Sequence, residues 1–280
     1  MADALGLNEV RLALAEDRAT DDVTTRLLGT EAERAAVGRF VAEGRFVVAG
    51  LPIVATVFRE LDATACVDTL VAEGAWVEPG AVLATVRGSA RAQLGGERVA
   101  LNFLQHLSGI ATATRRTVEA LAGTGARVTH TRKTTPGLRA LEIYAVRAGG
   151  GVANRASLAD AVLWKDNHWE LLAPGYTSLK QALAAARRDL PVMVEVESDA
   201  QLDLALAAGV THVLADNQAP ETIAAWVRRA GPGVTIEASG GITPETARAY
   251  AEAGASRVSV GAITHSAAAA SIRFEVAFPS

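Results

Sequence analysis

The alternation of short apolar runs with helical segments over residues 127–260 constrains the fold more than any other feature. The apolar runs predict six β-strands, at residues 128–131, 161–164, 192–196, 212–215, 234–238 and 257–260. Helical segments separate most of them, at residues 138–148, 178–188, 200–208, 220–230 and 244–253. Alternation of this kind predicts a parallel sheet with covering helices. About six strands without an obvious switch in strand order favour an incomplete, TIM-like parallel α/β barrel over a doubly wound sheet.

The first part of the chain has a different pattern and predicts a separate α+β domain. Short alternating runs typical of strands fill much of it, and Glu78-Pro79-Gly80 indicates a hairpin. Residues 97–122 carry apolar side chains at three- and four-residue spacing, which predicts one helix, or two helices divided at Gly109. We therefore predict an N-terminal domain over residues 1–110 and an α/β-barrel domain over residues 111–265.

The bulk composition excludes several classes of protein. The 280 residues carry a formal net charge of -4, so no general basic excess exists to bind nucleic acid or a membrane surface. Cys66 is the single cysteine, which rules out an intrachain disulfide and fits a reducing compartment. The first residues lack a basic start followed by an apolar run, and no stretch of about 18 apolar residues is present. We therefore expect a cytoplasmic protein without a signal peptide or membrane span.

Basic side chains nevertheless concentrate in residues 131–168. They are Arg132, Lys133, Arg139, Arg147, Arg155 and Lys165. A single basic run is usually a solvated surface. Here, however, Arg132-Lys133 follow one predicted strand and Lys165 follows another. Because the carboxyl ends of parallel strands meet at one mouth, where such folds bind ligands, this recurrence predicts an anion site.

The other strands of the predicted barrel also end in polar residues or glycine. Ser239-Gly240-Gly241 and Gly261 close the last two strands, where barrels commonly bind phosphate through backbone N–H groups. For any one glycine, a tight turn is the simpler interpretation. Glu195 and Asp216 suit the hydroxyls of a ribose and, through water, a Mg²⁺ whose other ligands come from phosphates. A structural salt bridge to Lys133 or Lys165 is the competing account of these acids.

The number of cations exceeds what one phosphate needs. Five are candidates: Arg98, Arg132, Lys133, Arg155 and Lys165. Together they suit two anionic substrates, such as a pyrophosphorylated sugar and an aromatic carboxylate, since arginine binds carboxylates bidentately. A non-catalytic anion-binding or scaffold protein is the alternative. Glu195 and Asp216 argue against it, because an anion binder gains nothing from carboxylates.

Several motifs in order resemble those of one enzyme family. TRKTTPGLRALEIYAVRAGGG, followed by LWKDNH, is similar to the central signature of the quinolinate phosphoribosyltransferases, also called carboxylating nicotinate-nucleotide pyrophosphorylases. EDRATDDVTT near the start, GERVALNFLQHLSGIATATR, VEVES, LADN, EASGGI and SVGAITHS, in that order, extend the similarity over nearly the whole chain. The resemblance implies a pentosyltransferase of NAD biosynthesis. Such an enzyme converts quinolinate and phosphoribosyl pyrophosphate, with Mg²⁺, into nicotinate mononucleotide, pyrophosphate and CO₂.

The strand-end pattern and the resemblance together define the expected site. The catalytic residues are expected to be Lys133, Lys165, Glu195 and Asp216. Carboxylates of the substrate are expected to meet Arg98, Arg132, Lys133, Asn154, Arg155 and Lys165, and phosphate and ribose to meet Glu195, Asp216, Ser239, Gly240, Gly241 and Gly261. The resemblance further implies a homodimer, or a higher oligomer of dimers, in which Arg98 reaches the partner's active site. It also implies that the C-terminal strand, in residues 266–280, joins the N-terminal domain.

One position departs from the family pattern. Asn154 precedes Arg155 where the family usually has histidine. A histidine can carry charge beside the substrate carboxylates, whereas asparagine offers only a neutral amide. Two interpretations remain open. Either Asn154 keeps the needed hydrogen bond and quinolinate is the substrate, or the chain is a paralogous phosphoribosyltransferase that acts on a different aromatic or pyridine carboxylic acid.

Overall fold

The computed structural model describes residues 5–171, 178–184, 186 and 189–278. The first elements are α1 (Leu7–Glu16), α2 (Val23–Arg26), β1 (Ala35–Ala42), β2 (Phe46–Val47), α3 (Leu51–Leu61), β3 (Cys66–Thr69), β4 (Trp76–Val77), β5 (Val82–Ser89) and α4 (Ala90–Ala120). The following elements are β6 (Arg127–Thr129), α5 (Arg139–Ala148), β7 (Val162–Trp164), α6 (Asp166–Glu170), α7 (Leu179–Ala184), β8 (Val192–Val196), α8 (Asp199–Ala207), β9 (His212–Asp216), α9 (Pro220–Ala230), β10 (Thr235–Ser239), α10 (Pro244–Glu252), β11 (Arg257–Ser259), α11 (Ala262–His265) and β12 (Ile272–Ala277). No helix in these ranges is both long enough and apolar enough to cross a bilayer.

The chain divides into two compact units. The first comprises Met1–Arg115, Thr134–Gly150 and Ile263–Ser280, and the second comprises Arg116–Lys133 and Gly151–Ala262. Residues 134–150, which the sequence-based boundaries assign to the barrel domain, therefore pack with the first unit. Buried Glu142 of α5 lies 2.9 Å from His106 Nε2 of α4, which holds this segment on that helix.

An antiparallel sheet with strand order β12-β1-β5-β3 forms the first unit. The C-terminal strand β12 pairs with β1, and Phe274 lies opposite Phe40. The rings of these two residues are 4.6 Å apart, and Phe58 of α3 packs 6.1 Å from each of them. The three rings fill the space between the sheet and α3.

Two details of the first unit differ from the sequence prediction. The hairpin at Glu78-Pro79-Gly80 is wrong, because β4 pairs with β2 whereas β5 pairs with β1 and β3, so the turn connects two sheets. Helix α4 is not divided at Gly109. That glycine serves a close approach instead, since a Cβ there would lie only 2.2 Å from the Ala268 carbonyl oxygen. The helix also begins at Ala90, which places Arg98 within it rather than at its start.

The second unit contains a six-stranded parallel sheet with strand order β6-β11-β10-β9-β8-β7. The first strand pairs with the last, as in a closed barrel, but β6 and β7 remain the two edges of the sheet. The incomplete α/β barrel is therefore confirmed, and the predicted strands lie within two residues of the observed ones. For the helix predicted at 178–188, the structure has α7, while residues 185, 187 and 188 lie outside the described residues.

The apolar face of this sheet is covered by helices. Val194, Val213 and Val258 are fully buried in the strands, and Trp226 of α9 is almost fully buried above them. Each such side chain contributes about 1.5–3 kcal/mol through burial. Because the strands are parallel, residues that follow each of them reach the same edge of the sheet.

Candidate active site

A cleft of about 330 Å³ opens at the carboxyl ends of the strands in the second unit. It is lined by His130, Thr131, Arg132, Lys133, Asn154, Arg155, Leu163, Lys165, Glu195, Leu214, Asp216, Ser239 and Ser259. The cleft therefore brings together eight of the residues expected from the sequence: Arg132, Lys133, Asn154, Arg155, Lys165, Glu195, Asp216 and Ser239.

Lys165 and Glu195 form an ion pair in this cleft. Lys165 follows β7, and its Nζ lies 2.7 Å from Oε2 and 3.0 Å from Oε1 of Glu195 at the end of β8. The lysine side chain is 41% exposed, whereas that of Glu195 is only 6% exposed. Burial raises the pKa of Glu195, Lys165 opposes this shift, and nearby Asp216 adds to it. The salt bridge that competed with a ligand role is thus present, with Lys165 as the partner.

Two arginines, Arg132 and Arg155, line this cleft and lie close enough to affect each other electrostatically. Arg155 is half-buried, and its Nη1 lies 3.4 Å from the Ala161 carbonyl oxygen. Burial lowers the pKa of Arg155, and the neighbouring Arg132 lowers it further. Guanidinium groups nevertheless stay protonated in proteins. A bound anion would relieve the repulsion between them, so the arrangement suits a carboxylate or phosphate.

The remaining lysine and acid lie at the ends of β6 and β9. The backbone N–H of Lys133 donates to Thr131 Oγ1 at 3.1 Å, which holds the turn after β6. Asp216 ends β9 and accepts a hydrogen bond from Asn217 Nδ2 at 2.8 Å. Glu195 and Asp216 therefore present two carboxylates from the neighbouring strands β8 and β9, and Glu195 is the one paired with Lys165.

Asn154 lies against a buried carboxylate that the sequence interpretation missed. Its Nδ2 donates to Oε1 of Glu237 at 3.0 Å, and its Oδ1 accepts from the backbone N–H of Arg155 at 2.8 Å. Glu237 is fully buried and also contacts His212, Thr129 and Ser259. The sequence prediction rests on the strand ends, whereas Glu237 lies inside β10. The signal was its spacing: Glu237 and Ser239 share a face because they are two residues apart on one strand.

The expected phosphate-binding residues have a local structural role as well. The φ of Gly240 is 97°, and a Cβ at this position would lie 2.1 Å from Asn217 Oδ1. The backbone N–H of Asn217 donates to the Ser239 carbonyl oxygen at 2.9 Å, which holds the two loops together. Gly241 has a φ of 60° with open space beside it, and Gly261 stands between β11 and α11. The tight turn that competed with phosphate binding therefore explains Gly240.

Arg98 lies in the first unit and not among the residues that line this cleft. Its side chain is 61% exposed, and its Nη2 is 3.9 Å from Glu97 Oε1. It borders a separate cleft of about 590 Å³, which is formed by residues of α1, α4 and the turn at 135–138. This larger cleft lacks the lysine–carboxylate pair and the arginine pair of the second unit, so it is the weaker candidate for chemistry.

The carboxylates of the cleft are the residues that would hold the expected Mg²⁺. Within the described ranges, no group of three or more His, Cys, Asp or Glu side chains could hold a metal ion. Glu195 is paired with Lys165, and Asp216 accepts from Asn217. These residues fit a Mg²⁺ held mainly by water and by phosphate oxygens of a ligand, since Mg²⁺ commonly keeps several waters and takes one or two carboxylates.

Comparison with known proteins identifies close relatives. Residues 22–108 match the family profile described as quinolinate phosphoribosyl transferase, N-terminal domain, and residues 110–275 match that of its C-terminal domain. The probable nicotinate-nucleotide pyrophosphorylase (carboxylating) of Bacillus subtilis is 38% identical over 261 residues, 93% of this chain and 90% of that protein. The corresponding Mycobacterium leprae protein is 41% identical over 263 residues, 92% of each. The crystal structure of NadC from Streptococcus pyogenes has a TM-score of 0.91 and 36% identity over 98% of this chain and 96% of its own.

Proposed function

Because the chain belongs to the quinolinate phosphoribosyltransferase family, we propose that it transfers a phosphoribosyl group from phosphoribosyl pyrophosphate to quinolinate. The chain is a pentosyltransferase, and the products are nicotinate mononucleotide, pyrophosphate and CO₂ in the biosynthesis of NAD. One observation carries this assignment to the cleft: an arginine pair and a lysine–glutamate pair share one mouth at the strand ends.

The cations account for the binding of the acceptor. Arg132, Arg155, Lys133 and, from a partner subunit, Arg98 neutralise the two carboxylates of quinolinate. Bidentate contacts from arginine fix the plane of the ring, and so aim its nitrogen at the anomeric carbon of the sugar. Positioning of this kind is worth several kcal/mol in a bimolecular reaction.

The acids and Lys165 account for the transfer. The ring nitrogen forms a bond to the anomeric carbon as the bond to pyrophosphate breaks, and the sugar becomes oxocarbenium-like on the way. Glu195 and Asp216 stabilise this positive charge, while Lys165 stabilises negative charge on the acceptor or the leaving group. The positive charge of the quaternised nitrogen then stabilises the electron pair that stays on ring carbon 2 when the 2-carboxylate leaves as CO₂, and that carbon takes up a proton.

Donor binding uses the other side of the cleft. Ser239, Gly240, Gly241 and Gly261 offer backbone N–H groups to the 5-phosphate, and Glu195 and Asp216 accept from the ribose hydroxyls. Mg²⁺, held through water by Glu195 and Asp216, would neutralise the pyrophosphate when bound. The two carboxylates that line the cleft, Glu195 and Asp216, support an ion of this kind.

The active unit in this proposal is a homodimer, alone or within a higher oligomer, with Arg98 completing the partner's site. The exposure of the Arg98 side chain supports this, since a residue that crosses an interface must project from its own subunit. A cytoplasmic location fits the single, unpaired Cys66, because a reducing compartment does not favour disulfides.

We keep quinolinate as the acceptor although Asn154 replaces the family's histidine. The side-chain amide of Asn154 forms hydrogen bonds with Glu237 and with the main chain of Arg155, and this structural role does not require a positive charge. A paralogous enzyme for a different pyridine or aromatic acid is the second candidate, and position 154 is the observation that favours it.

A substrate panel tests the proposal. Quinolinate and several pyridine monocarboxylates are assayed with phosphoribosyl pyrophosphate, and pyrophosphate and CO₂ release are measured together. We expect both products in equal amounts with quinolinate. Pyrophosphate without CO₂, from a monocarboxylate alone, would identify the paralogue. Calorimetric titration with the sugar donor, with and without Mg²⁺, separates an enzyme from an anion-binding protein, which would not need the metal.

A further inference from the structure

Glu237 is a fully buried carboxylate beneath the candidate active site, and it is not among the residues that line the cleft. Four side chains surround it. His212 Nε2 lies 2.8 Å from its Oε2, and its Oε1 accepts from Asn154 Nδ2 at 3.0 Å, from Thr129 Oγ1 at 3.1 Å and from Ser259. Burial alone would raise the pKa of Glu237, but the hydrogen bonds from His212 and Ser259 outweigh it and lower the pKa.

The strand itself does not require a charge at this position. Glu237 lies in β10 between the buried apolar residues Ile236 and Ala238. A buried carboxylate is tolerated only when its hydrogen bonds are satisfied, and well-packed apolar replacements are often as stable. Its four partners come from β6, β9, β11 and the segment after Val152, so the carboxylate connects strands to a loop that lines the cleft.

The contact with Asn154 extends the network to an active-site arginine. The amide of Asn154 joins Glu237 on one side to the backbone N–H of Arg155 on the other. The backbone N–H of Asn154 also donates to Nε2 of buried His130 at 3.0 Å. Since Nε2 accepts, the proton of a neutral ring is on Nδ1, which lies 3.1 Å from the Thr131 carbonyl oxygen. Residues 153–155 are in neither a helix nor a strand, so side-chain contacts must hold them.

We propose that Glu237 is a positioning residue for the acceptor site: through Asn154 it holds the main chain of Arg155, and thereby the guanidinium that faces the cleft. This inference rests on the proposed function, in which Arg155 binds a carboxylate of quinolinate. Glu237 touches no reacting atom. Its effect is on acceptor binding, because a displaced Arg155 weakens the ground state and the transition state alike.

Glu237→Gln is the first variant, because it keeps the shape of the side chain and removes its charge. The acceptor of the Asn154 bond becomes neutral, and hydrogen bonds to neutral groups are weaker than those to charged ones. We expect the KM for quinolinate to rise about tenfold, with kcat within about twofold of wild type. Calorimetric titration with quinolinate measures binding independently of turnover.

A double-mutant cycle with Arg155→Ala separates positioning from general destabilisation. In the Arg155→Ala background, Glu237→Gln should raise the KM by less than about twofold, because the residue through which it acts is gone. Thr129→Val is the matched control, since it removes another donor from the same Glu237 oxygen without contacting Asn154 or Arg155. Both Glu237→Gln and Thr129→Val should lower the melting temperature, because each weakens a hydrogen bond of a buried group, but Thr129→Val should leave the KM within about twofold of wild type.

The possible outcomes distinguish the two proposals. If wild type turns over quinolinate and Glu237→Gln leaves its KM unchanged, or if the effects of Glu237→Gln and Arg155→Ala multiply, the positioning role is wrong and the function stands. If wild type neither binds nor turns over quinolinate, the proposed function fails, and this inference with it. If Glu237→Gln does not fold, Asn154→Ala replaces it, because it removes the other partner of the same hydrogen bond. Asn154→Ala must then raise the KM for quinolinate in the wild-type background and have little effect on it in the Arg155→Ala background.

Discussion

Replacement of Lys165 with alanine should remove most turnover while the protein stays folded. The Nζ of Lys165 lies 2.7 Å from Glu195 Oε2; the lysine side chain is 41% exposed, whereas that of Glu195 is only 6% exposed. Exposed ion pairs contribute about 0–1 kcal/mol to stability, and removal of one partner from a fully buried pair costs about 3–5 kcal/mol. This pair lies between the two cases, because solvent reaches its lysine end and Glu195 can bind a proton when the lysine is gone. We therefore expect the free energy of unfolding to fall by about 1–3 kcal/mol.

The effect on catalysis should be larger for two reasons that add. Lys165 is proposed to stabilise charge that develops in the transition state, and loss of one such contact costs about 2–4 kcal/mol, or roughly 10² to 10³ in rate. Lys165 also opposes the burial that raises the pKa of Glu195. Without the lysine this pKa rises further, so a smaller fraction of Glu195 is ionised at a given pH. The acidic limb of the pH–rate profile should accordingly move to higher pH.

The assay follows release of pyrophosphate and CO₂ from quinolinate and phosphoribosyl pyrophosphate, together with urea unfolding of each variant. Lys180→Ala is the matched control, because it removes the same side chain from the exposed surface of α7. It should retain wild-type turnover. Turnover of Lys165→Ala within about fivefold of wild type would refute the proposed role of Lys165, since a fivefold change in rate corresponds to only about 1 kcal/mol of activation free energy.

Three further predictions concern other residues of the site. Inactive Arg98→Ala and inactive Lys165→Ala chains, mixed under conditions in which subunits exchange, should regain part of the activity, because one shared site then contains both side chains; exchange without any recovery would contradict the crossing of Arg98. Asn154→His should change the ratio of catalytic efficiencies for quinolinate and pyridine monocarboxylates by less than about threefold, since the amide of Asn154 contacts Glu237 and the main chain of Arg155 rather than a charge on the ligand. A shift of about tenfold or more toward quinolinate would instead support a paralogous enzyme with a different acceptor. Glu195→Gln should lose about 10² or more in turnover. Relative to wild type it should nevertheless gain stability as the pH rises through the elevated pKa of Glu195, because only the wild type must then keep a buried carboxylate ionised. The gain should vanish below pH 4.5, the ordinary pKa of a glutamate, since the side chain is then neutral in both proteins. Urea unfolding across that pH range measures it, and a gain that instead appears at low pH would mean that the carboxylate is stabilising.

The barrel could be predicted from the sequence because its information is local. Each strand is a short apolar run, each covering helix has its own periodicity, and alternation of the two admits few topologies. Lys165, Glu195 and Asp216 could be chosen for the same reason. Lys165 and Asp216 stand directly after predicted strands, Glu195 is the penultimate residue of its strand, and in a parallel sheet such positions reach one edge.

Long-range packing decided the features that the sequence interpretation missed or misplaced. The turn at 78–80 has the residues of a hairpin, yet β4 finds its partner in β2 and β5 in β1, because pairing depends on which apolar faces can be buried together. Residues 134–150 join the first unit through the contact of Glu142 with His106, which lie far apart in sequence.

Glu237 shows most clearly how local sequence differs from long-range packing in what it can predict. In the sequence it is a single acid inside an apolar strand, and strand propensity says nothing about its partners. The folded protein surrounds it with four side chains, from three other strands and one loop, and the loop residue, Asn154, connects it to Arg155. The α/β alternation and the polar residues at the strand ends could be predicted, since both depend on neighbouring residues. The connection from a buried carboxylate to an arginine could not, because a hydrogen bond depends on the distance between two atoms in the folded protein and not on their separation along the chain.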